Sequence, residues 1–395
     1  MTDNELNRRN FLKTSLLSST GAFFSSSIFA HPVKIINQNI DDKQPIIKRK
    51  LGNTGIELPI VSFGVMRSDS PALVQAAIKA GIVHFDTAHG YQHGKNEEML
   101  GEVFKKQPRD SFVISTKIKL DSKTNIKQQF NEMLDLSLKR LQLSYVDILY
   151  LHAVSSRDEA LTPEWLEVIS DAKKSGRAKH IGVSTHSNGP EVIQAVIDSN
   201  VYEVVLSAIN YKQDYYQELK KVIEKAAHAG IGIIAMKTMA GGFLDKERTK
   251  PVNCKAALKF VLQDENVTTA IPGITNFDHL AMNVSINTDL TLTADERKDL
   301  VMEDRYEGLY CQQCGQCIPN CSKKLPIPDL MRAYMYTYGY RDNHQAYSLL
   351  TSLELPENPC SECSSCSVIC SKKFDVREKI ADVTRLTKVP VEFIS

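Results

Sequence analysis

Between residues 51 and 300 short apolar runs alternate with longer amphipathic ones, and this alternation constrains the fold more than any other feature of the chain. Candidate strands occupy residues 60–65, 83–87, 112–117, 146–152, 178–184, 203–210, 231–236 and 268–272. Helical periodicity falls between them at 96–105, 127–141, 163–174, 191–198, 216–229 and 253–264. Gly81, Gly176 and Gly230 each stand where a helix must stop before the next strand. A strand that returns through a helix lies parallel to the one before it. Eight such units in roughly 250 residues match an α/β fold of (β/α)8 TIM-barrel type in both count and size. The preceding segment 48–59, with Gly52-Asn53-Thr54-Gly55 at its middle, reads as a hairpin able to cover one barrel mouth.

After residue 300 the texture changes. Eight of the nine cysteines fall in two blocks, Cys311, Cys314, Cys317, Cys321 and Cys360, Cys363, Cys366, Cys370, each spaced C-x2-C-x2-C-x3-C. Such clustering suits a metal module better than disulfides scattered through a secreted scaffold. Structural zinc usually takes two-cysteine pairs, whereas three thiolates two residues apart can converge on one iron–sulfur cubane. The spacing therefore predicts two [4Fe–4S] clusters. The blocks resemble two-cluster ferredoxins, in which the fourth cysteine serves the other cluster. That resemblance implies one site from Cys311, Cys314, Cys317 and Cys370, and another from Cys360, Cys363, Cys366 and Cys321. Ser322 and Ser371 stand where such motifs often carry Pro. Leu330, Met331, Tyr334, Met335, Tyr347, Leu349 and Leu350 between the blocks suggest short helices, and Cys-Ser-Lys-Lys-Leu at 321–325 is echoed by Cys-Ser-Lys-Lys-Phe at 370–374. Lys323, Lys324, Lys372 and Lys373 are placed to offset the charge of thiolate-bound clusters or to form a solvated face. Cys254 stands apart and reads as a small buried hydrophobe.

Three of the candidate strands end on polar or ionisable residues. Asp86 lies at the end of the second, with Tyr91 five residues on; Lys117 closes the third and His152 the fourth. Barrel enzymes place their chemistry at the C-terminal ends of strands, so these groups are expected at one mouth. A lysine beside a tyrosine is expected to lower the phenol's pKa from about 10, with the carboxylate holding the lysine.

The segments His84-Phe-Asp-Thr-Ala-His-Gly-Tyr91, Val113-Ile-Ser-Thr-Lys117, Val146-Asp-Ile-Leu-Tyr-Leu-His152, Ile181-Gly-Val-Ser184 and Ile271-Pro-Gly273 resemble successive motifs of the aldo-keto reductases. The resemblance implies that Tyr91 is the general acid-base, Lys117 tunes it, Asp86 holds Lys117 and His152 orients the carbonyl. It implies hydride transfer between a nicotinamide cofactor, NAD or NADP, and a small carbonyl or alcohol substrate. Ser184, Asn210, Met236, Lys237, Pro272, Gly273 and Asn283 are the expected cofactor contacts, and His186 with Asn210 could line the pocket. Many relatives place an aromatic ring where this chain has Met236 and a Gln near Leu206. Gly273 and His279 replace the Lys and Arg that commonly clamp a 2′-phosphate, which leaves NAD and NADP both open.

The N-terminal Asn7-Arg8-Arg9-Asn10-Phe11-Leu12-Lys13, followed by an uncharged stretch to Ala30, resembles a twin-arginine export signal and implies a periplasmic destination, or a cytoplasmic one if the signal is not used. The expected organisation is a signal at 1–30, a linker at 31–47, the barrel at 48–300 and a small α-helical dicluster ferredoxin-like domain at 301–395. Forty-eight basic against 47 acidic residues leave a formal charge of +1, which gives no basic surface for nucleic acid. Beyond the signal no stretch is apolar enough to span a bilayer. Signal, barrel and dicluster module in this order resemble a ferredoxin-fused aldo-keto reductase subgroup, an iron–sulfur oxidoreductase relaying electrons to or from a redox partner protein. The alternative is an electron-transfer subunit whose barrel is a non-catalytic docking or sensing module.

Overall fold

The computed structural model describes residues 45–120, 125–245, 247–304 and 309–394, so the segment 1–30 and all but the last three residues of the linker 31–47 lie outside the described residues. A hairpin of β1 (Lys48–Lys50) and β2 (Glu57–Pro59) comes first. Eight parallel strands follow: β3 (Phe63–Gly64), β4 (His84–Asp86), β5 (Val113–Ile118), β6 (Val146–Leu151), β7 (Ala178–Thr185), β8 (Val204–Ala208), β9 (Gly232–Met236) and β10 (Thr269–Ala270). They hydrogen-bond in sequence order. Parallel bridges from Val61 to Ala270 and from Gly64 to Gly273 then join the last strand to the first and close the barrel.

Around the sheet run α1 (Pro71–Lys79), α2 (Lys95–Phe104), α3 (Ile126–Leu141), α4 (Arg157–Ala160), α5 (Pro163–Lys174), α6 (Gly189–Ser199), α7 (Tyr216–His228), α8 (Cys254–Leu262), α9 (Phe277–Ser285) and α10 (Ala294–Asp304). Their ends follow local chemistry. Ser70, Asn253 and Asn276 cap α1, α8 and α9 by accepting from Leu73, Ala256 and His279 backbone N–H groups. Gly81, Gly176 and Gly230 take φ of 89°, 75° and 81° just before the next strand.

The strands alternate between two apolar environments. Inward residues Ile148, Tyr150, Val204, Leu206, Ile234 and Met236 pack with Leu51 and Leu58 of the hairpin inside the barrel. Both leucines are fully buried, and Asn53 N–H donates to Gly230 O, so the hairpin plugs the end where β9 begins. At β7, Gly182 allows the backbones to meet: a Cβ there would stand 2.1 Å from Val204 O and 3.1 Å from the Tyr150 ring. Gly182→Ala is therefore expected to cost about 3 kcal/mol, lowering the thermal midpoint by roughly 4 °C in circular dichroism.

Beyond α10 the described elements are all helical, separated by the loops that carry the cysteines: α11 (Ile327–Tyr334), a π-helical turn at Met335–Tyr340, α12 (Asn343–Ser352) and α13 (Val376–Val383). These enclose a second core that includes Leu330, Met331, Ala346, Leu349, Val376 and Ile380. Asp342 and Asp375 cap α12 and α13. α10 runs past residue 300, and Glu303 accepts from Tyr211 Oη and Asn253 N–H of the barrel.

The C-terminal segment lies across the mouth at the strands' C-terminal ends. Arg67, after β3, donates to Tyr340 O at 3.1 Å; Lys119, after β5, to Ser352 Oγ at 2.9 Å. Tyr215, after β8, donates to Gln312 O at 3.0 Å, and Arg248, after β9, to Gly339 O at 3.1 Å. Residues 45–394 thus form one compact unit. Among the described residues no helix is long and apolar enough to cross a membrane.

Candidate active site and cysteine cavities

Period-2 geometry puts His84 and Asp86 of β4, and Ser115 and Lys117 of β5, on the inward face. They form a buried polar ladder. His84 Nε2 lies 3.0 Å from Ser115 Oγ, and Ser115 Oγ donates to Asp86 Oδ2 at 2.6 Å. Lys117 Nζ donates to Asp86 Oδ1 at 2.5 Å, to Thr87 O at 2.6 Å and to Tyr91 Oη at 3.4 Å. The Tyr91 ring meets His152 edge-on at 5.9 Å between centroids. The four residues expected at the strand ends are thus brought together.

Tyr91 is held by a strained turn. Gln92 and His93 take φ of 50° and 54°, left-handed values that are rare for residues other than Gly, Asn and Asp. Gln92 Nε2 donates to Met66 O at 3.1 Å, and Arg140 Nη1 to His89 O at 3.0 Å, which ties this turn to its neighbours.

Electrostatics depart from the sequence expectation at Tyr91. Burial, reinforced by the nearby Asp86 carboxylate, pushes the phenol well above its usual range instead of below it. The reason is geometric: Asp86 holds Lys117 closely and balances its charge, while Tyr336 and Arg332 of the C-terminal segment cover the mouth beside the buried ring. Burial also lowers Lys117 against the opposing pull of Asp86, and pushes His84 down to about 4. His152 and His186 are held well below the imidazole range by burial, helped by Lys117 and Arg332. The site therefore presents a neutral phenol and neutral imidazoles at ordinary pH.

A cavity of about 200 Å³ opens beside these groups. The barrel lines it with His89, Tyr91, Lys117, Lys119, His152 and His186. The C-terminal segment adds Arg332, Tyr336, Gln345 and Ser352. His186 thus reaches the pocket, while Asn210 does not; its Oδ1 accepts from Lys212 N–H at 3.0 Å.

The expected cofactor contacts lie outside this cavity. Ser184 Oγ accepts from Ala153 N–H at 3.0 Å, and Met236 is buried at the end of β9. Lys237 Nζ stands over the rings of Tyr336 and Tyr340 at 5.2 and 5.5 Å, and burial lowers its pKa to about 7. The nearby Arg332 guanidinium lowers it further. Pro272 and Gly273 follow β10, and Gly273 has open space where a side chain would stand. Asn283 is buried with its Oδ1 unpartnered. The open space at Gly273 leaves room for one end of a dinucleotide, while Tyr336 and Tyr340 stand against Lys237 after β9.

Two smaller cavities gather the cysteines. One is lined by Cys311, Cys314, Cys317 and Cys370, the other by Cys321, Cys360, Cys363 and Cys366. Each set takes three thiols from one block and the fourth from the other. Cys314 Sγ lies 3.6 Å from Ser371 Oγ across the blocks. Burial pushes the Cys311 and Cys317 thiols up to about 12 and about 11. Among the described residues no group of three or more His, Cys, Asp or Glu side chains is arranged to hold a metal ion; the thiols instead line cavities. Lys323 and Lys372 pair with Glu362 and Asp214, so part of their charge is already matched by carboxylates.

Sequence reasoning missed His84, Ser115, Lys119 and Arg332. The first two share the inward faces of Asp86 and Lys117, and alternation could have found them. Arg332 comes from another segment and carried no such signal.

The Aldo/keto reductase family model matches residues 61–257. L-galactose dehydrogenase of Arabidopsis thaliana is 26% identical over 290 residues, covering 61% of this chain and 88% of that protein. Methylglyoxal reductase DkgB of Salmonella typhi is 28% identical over 261 residues, covering 62% and 93%. The solved aldo-keto reductase AKR11C1 of Bacillus halodurans superposes with a TM-score of 0.55 at 20% identity, over 68% of this chain and 100% of that one, which bears on the fold alone.

Proposed function

Because the barrel belongs to the aldo/keto reductase family, we propose that this chain is an iron–sulfur oxidoreductase that reduces a small carbonyl at Tyr91 and exchanges single electrons through its cysteine sites. The observation that carries this reading is the meeting of two chemistries on α11. Ile327 borders both cysteine cavities, Met331 borders that of Cys311, and the next residue, Arg332, lines the Tyr91 cavity. Successive residues on a helix are 1.5 Å apart along its axis, so one helix joins the sites over a short span.

In the proposed reaction the carbonyl oxygen sits between Tyr91 Oη and the His152 imidazole. His152, neutral, donates a hydrogen bond that orients and polarises the carbonyl. Tyr91, also neutral, hands its proton to the oxygen as charge develops there. Lys117 Nζ, 3.4 Å from Tyr91 Oη, stabilises the phenolate left behind, and Asp86 keeps the ammonium in place. Lys117 and Asp86 are positioning residues. A raised phenol pKa favours the reductive direction near neutrality, because the proton donor is then fully loaded.

A nicotinamide nucleotide along Ser184, Asn210, Met236, Lys237, Pro272, Gly273 and Asn283 would supply the hydride. Clusters of [4Fe–4S] type held by Cys311, Cys314, Cys317 and Cys370, and by Cys321, Cys360, Cys363 and Cys366, would supply one-electron exchange with a redox partner protein. Cys366 is exposed and Ile369 is 83% exposed, which places the second set nearer the surface. Export through residues 1–30 to the periplasm is part of the proposal and suits a protein that acquires clusters before it crosses a membrane.

Anaerobic stopped-flow mixing with NADH or NADPH tests the relay. Loss of visible cluster absorbance, restored by a carbonyl substrate, is expected. Clusters that stay oxidised with both present overturn it.

A further inference from the structure

We propose that His93 and His344 form a two-histidine site for a divalent transition metal, an ion that would clamp the C-terminal segment onto the turn bearing Tyr91. His93 belongs to the barrel, two residues after Tyr91, and His344 lies in the first turn of α12. Their side chains meet across 251 positions of sequence, with His93 Nε2 standing 3.2 Å from His344 Nδ1. The ring centroids are 5.1 Å apart and the planes cross at 80°. The contact is exposed, so an ion can reach it from solvent.

The spacing suits a shared ion. Two imidazole nitrogens, each about 2.0–2.1 Å from one tetrahedral ion, stand roughly 3.3 Å apart, with ring centroids roughly 5 Å apart. A straight N–H···N hydrogen bond of the same length, with each ring aimed along the line between the nitrogens, would hold the centroids at roughly 5.5 Å. The observed rings are closer than that, tilted off the line as two lone pairs must be to converge on one point. Without an ion the pair shares one proton, since a neutral imidazole offers one donor and one acceptor nitrogen. A cation takes that proton's place once the donor ring moves its hydrogen to its other nitrogen. Zinc, copper and nickel accept imidazole ligands readily, and two of them leave the remaining positions to water.

The backbone on both sides supports this. The left-handed values at Gln92 and His93 carry the imidazole toward α12, and strain of this kind gathers at functional contacts. Asp342, which caps α12, sets a carboxylate two residues from His344 and offsets the positive end of the helix. The ion would join two walls of the Tyr91 cavity. Gly90 and Tyr91 line one, and Gln345, Ser348, Leu349 and Ser352 of α12 line the other. Metal supply would thus set how firmly those walls hold together, a control separate from the chemistry at Tyr91.

Anaerobic titration calorimetry of the full chain with Ni²⁺ tests the site, with Mg²⁺, which seeks oxygen ligands, as the control. The unaltered chain should bind about one more Ni²⁺ than either His93→Gln or His344→Gln, and no more Mg²⁺ than they do. Counting the difference between chains keeps any nickel held by cysteines out of the result. Hydrogen exchange reads the clamp. Ni²⁺ should slow exchange at least about threefold at residues 91–94 and 343–352 of the unaltered chain and leave both segments unchanged in the variants. Circular dichroism checks that the variants fold, and either one suffices if the other does not. Equal Ni²⁺ counts in the three chains overturn the inference. So does a histidine-dependent nickel that slows exchange at neither segment, because such an ion bridges nothing.

Discussion

Replacing Tyr91 by Phe is expected to lower the rate of carbonyl reduction by about 10²–10⁴-fold, the range a positioned general acid contributes, while substrate binding changes little. The phenol is the group whose proton completes the reduction, and its ring fills the same space in either form. The pH dependence follows from its environment. Burial and Asp86 raise the phenol above its usual range, so the protonated donor persists through neutral and mildly alkaline pH. Burial and nearby positive charge depress His152, so it stays neutral down to moderately acid pH. Reduction by the unaltered chain should thus be nearly flat from about pH 6.5 to 9 and should fall only as pH rises toward the phenol's raised pKa. Alcohol oxidation needs the deprotonated phenol and should climb with pH over the same range. A Tyr91→Phe chain with less than a threefold loss in steady-state reduction would favour the barrel as a docking or sensing module.

The strands and the buried ion pair were the legible part, each for a physical reason. Strands of a parallel barrel are apolar on both faces, so β5 to β9 read as continuous runs of about the right length. Asp86 and Lys117 stood out because charge at the end of such a run is costly unless it is partnered. The closing strands were harder. β3 and β10 each have two residues of ladder, and the barrel closes through isolated bridges at Val61 and Gly64, which periodicity cannot resolve. α1, α4, α9 and α10 carry no such signal in the sequence reading. What the sequence could not convey was the relation between distant segments. Arg332 follows Leu330 and Met331 in an apolar stretch and enters the cavity only because α11 crosses the mouth. The same crossing reverses the expected shift at Tyr91, since a lysine lowers a phenol's pKa only when burial and its own counterion do not outweigh it.

Cys370→Ser should disturb the site of the other block, because Cys370 lines the cavity of Cys311, Cys314 and Cys317. Two complete clusters correspond to about eight irons per chain, and this variant should retain about four. A serine hydroxyl is a poorer ligand for iron than a thiolate and is not ionised at neutral pH, so the three remaining thiols hold a labile site. Combinations separate crossed from uncrossed ligation. Adding Cys314→Ser to Cys370→Ser should remove little more iron, since both strip one site, whereas adding Cys363→Ser should remove nearly all of it. The reverse pattern, with Cys370 and Cys363 behaving as one unit, would place each cluster within its own block. The electron path gives a second readout. Met331 and Arg332 put the Cys311 cavity beside Tyr91, while Cys366 of the other set faces solvent. Loss of the Cys370 site should therefore leave a second cluster that an external reductant such as dithionite still bleaches, but that NADH or NADPH delivered through the barrel no longer does. Under the proposed crossed ligation each cluster would tie the loop at 311–321 to the loop at 360–370 and so fix α11, which lies between them in the chain and carries Arg332 into the Tyr91 cavity.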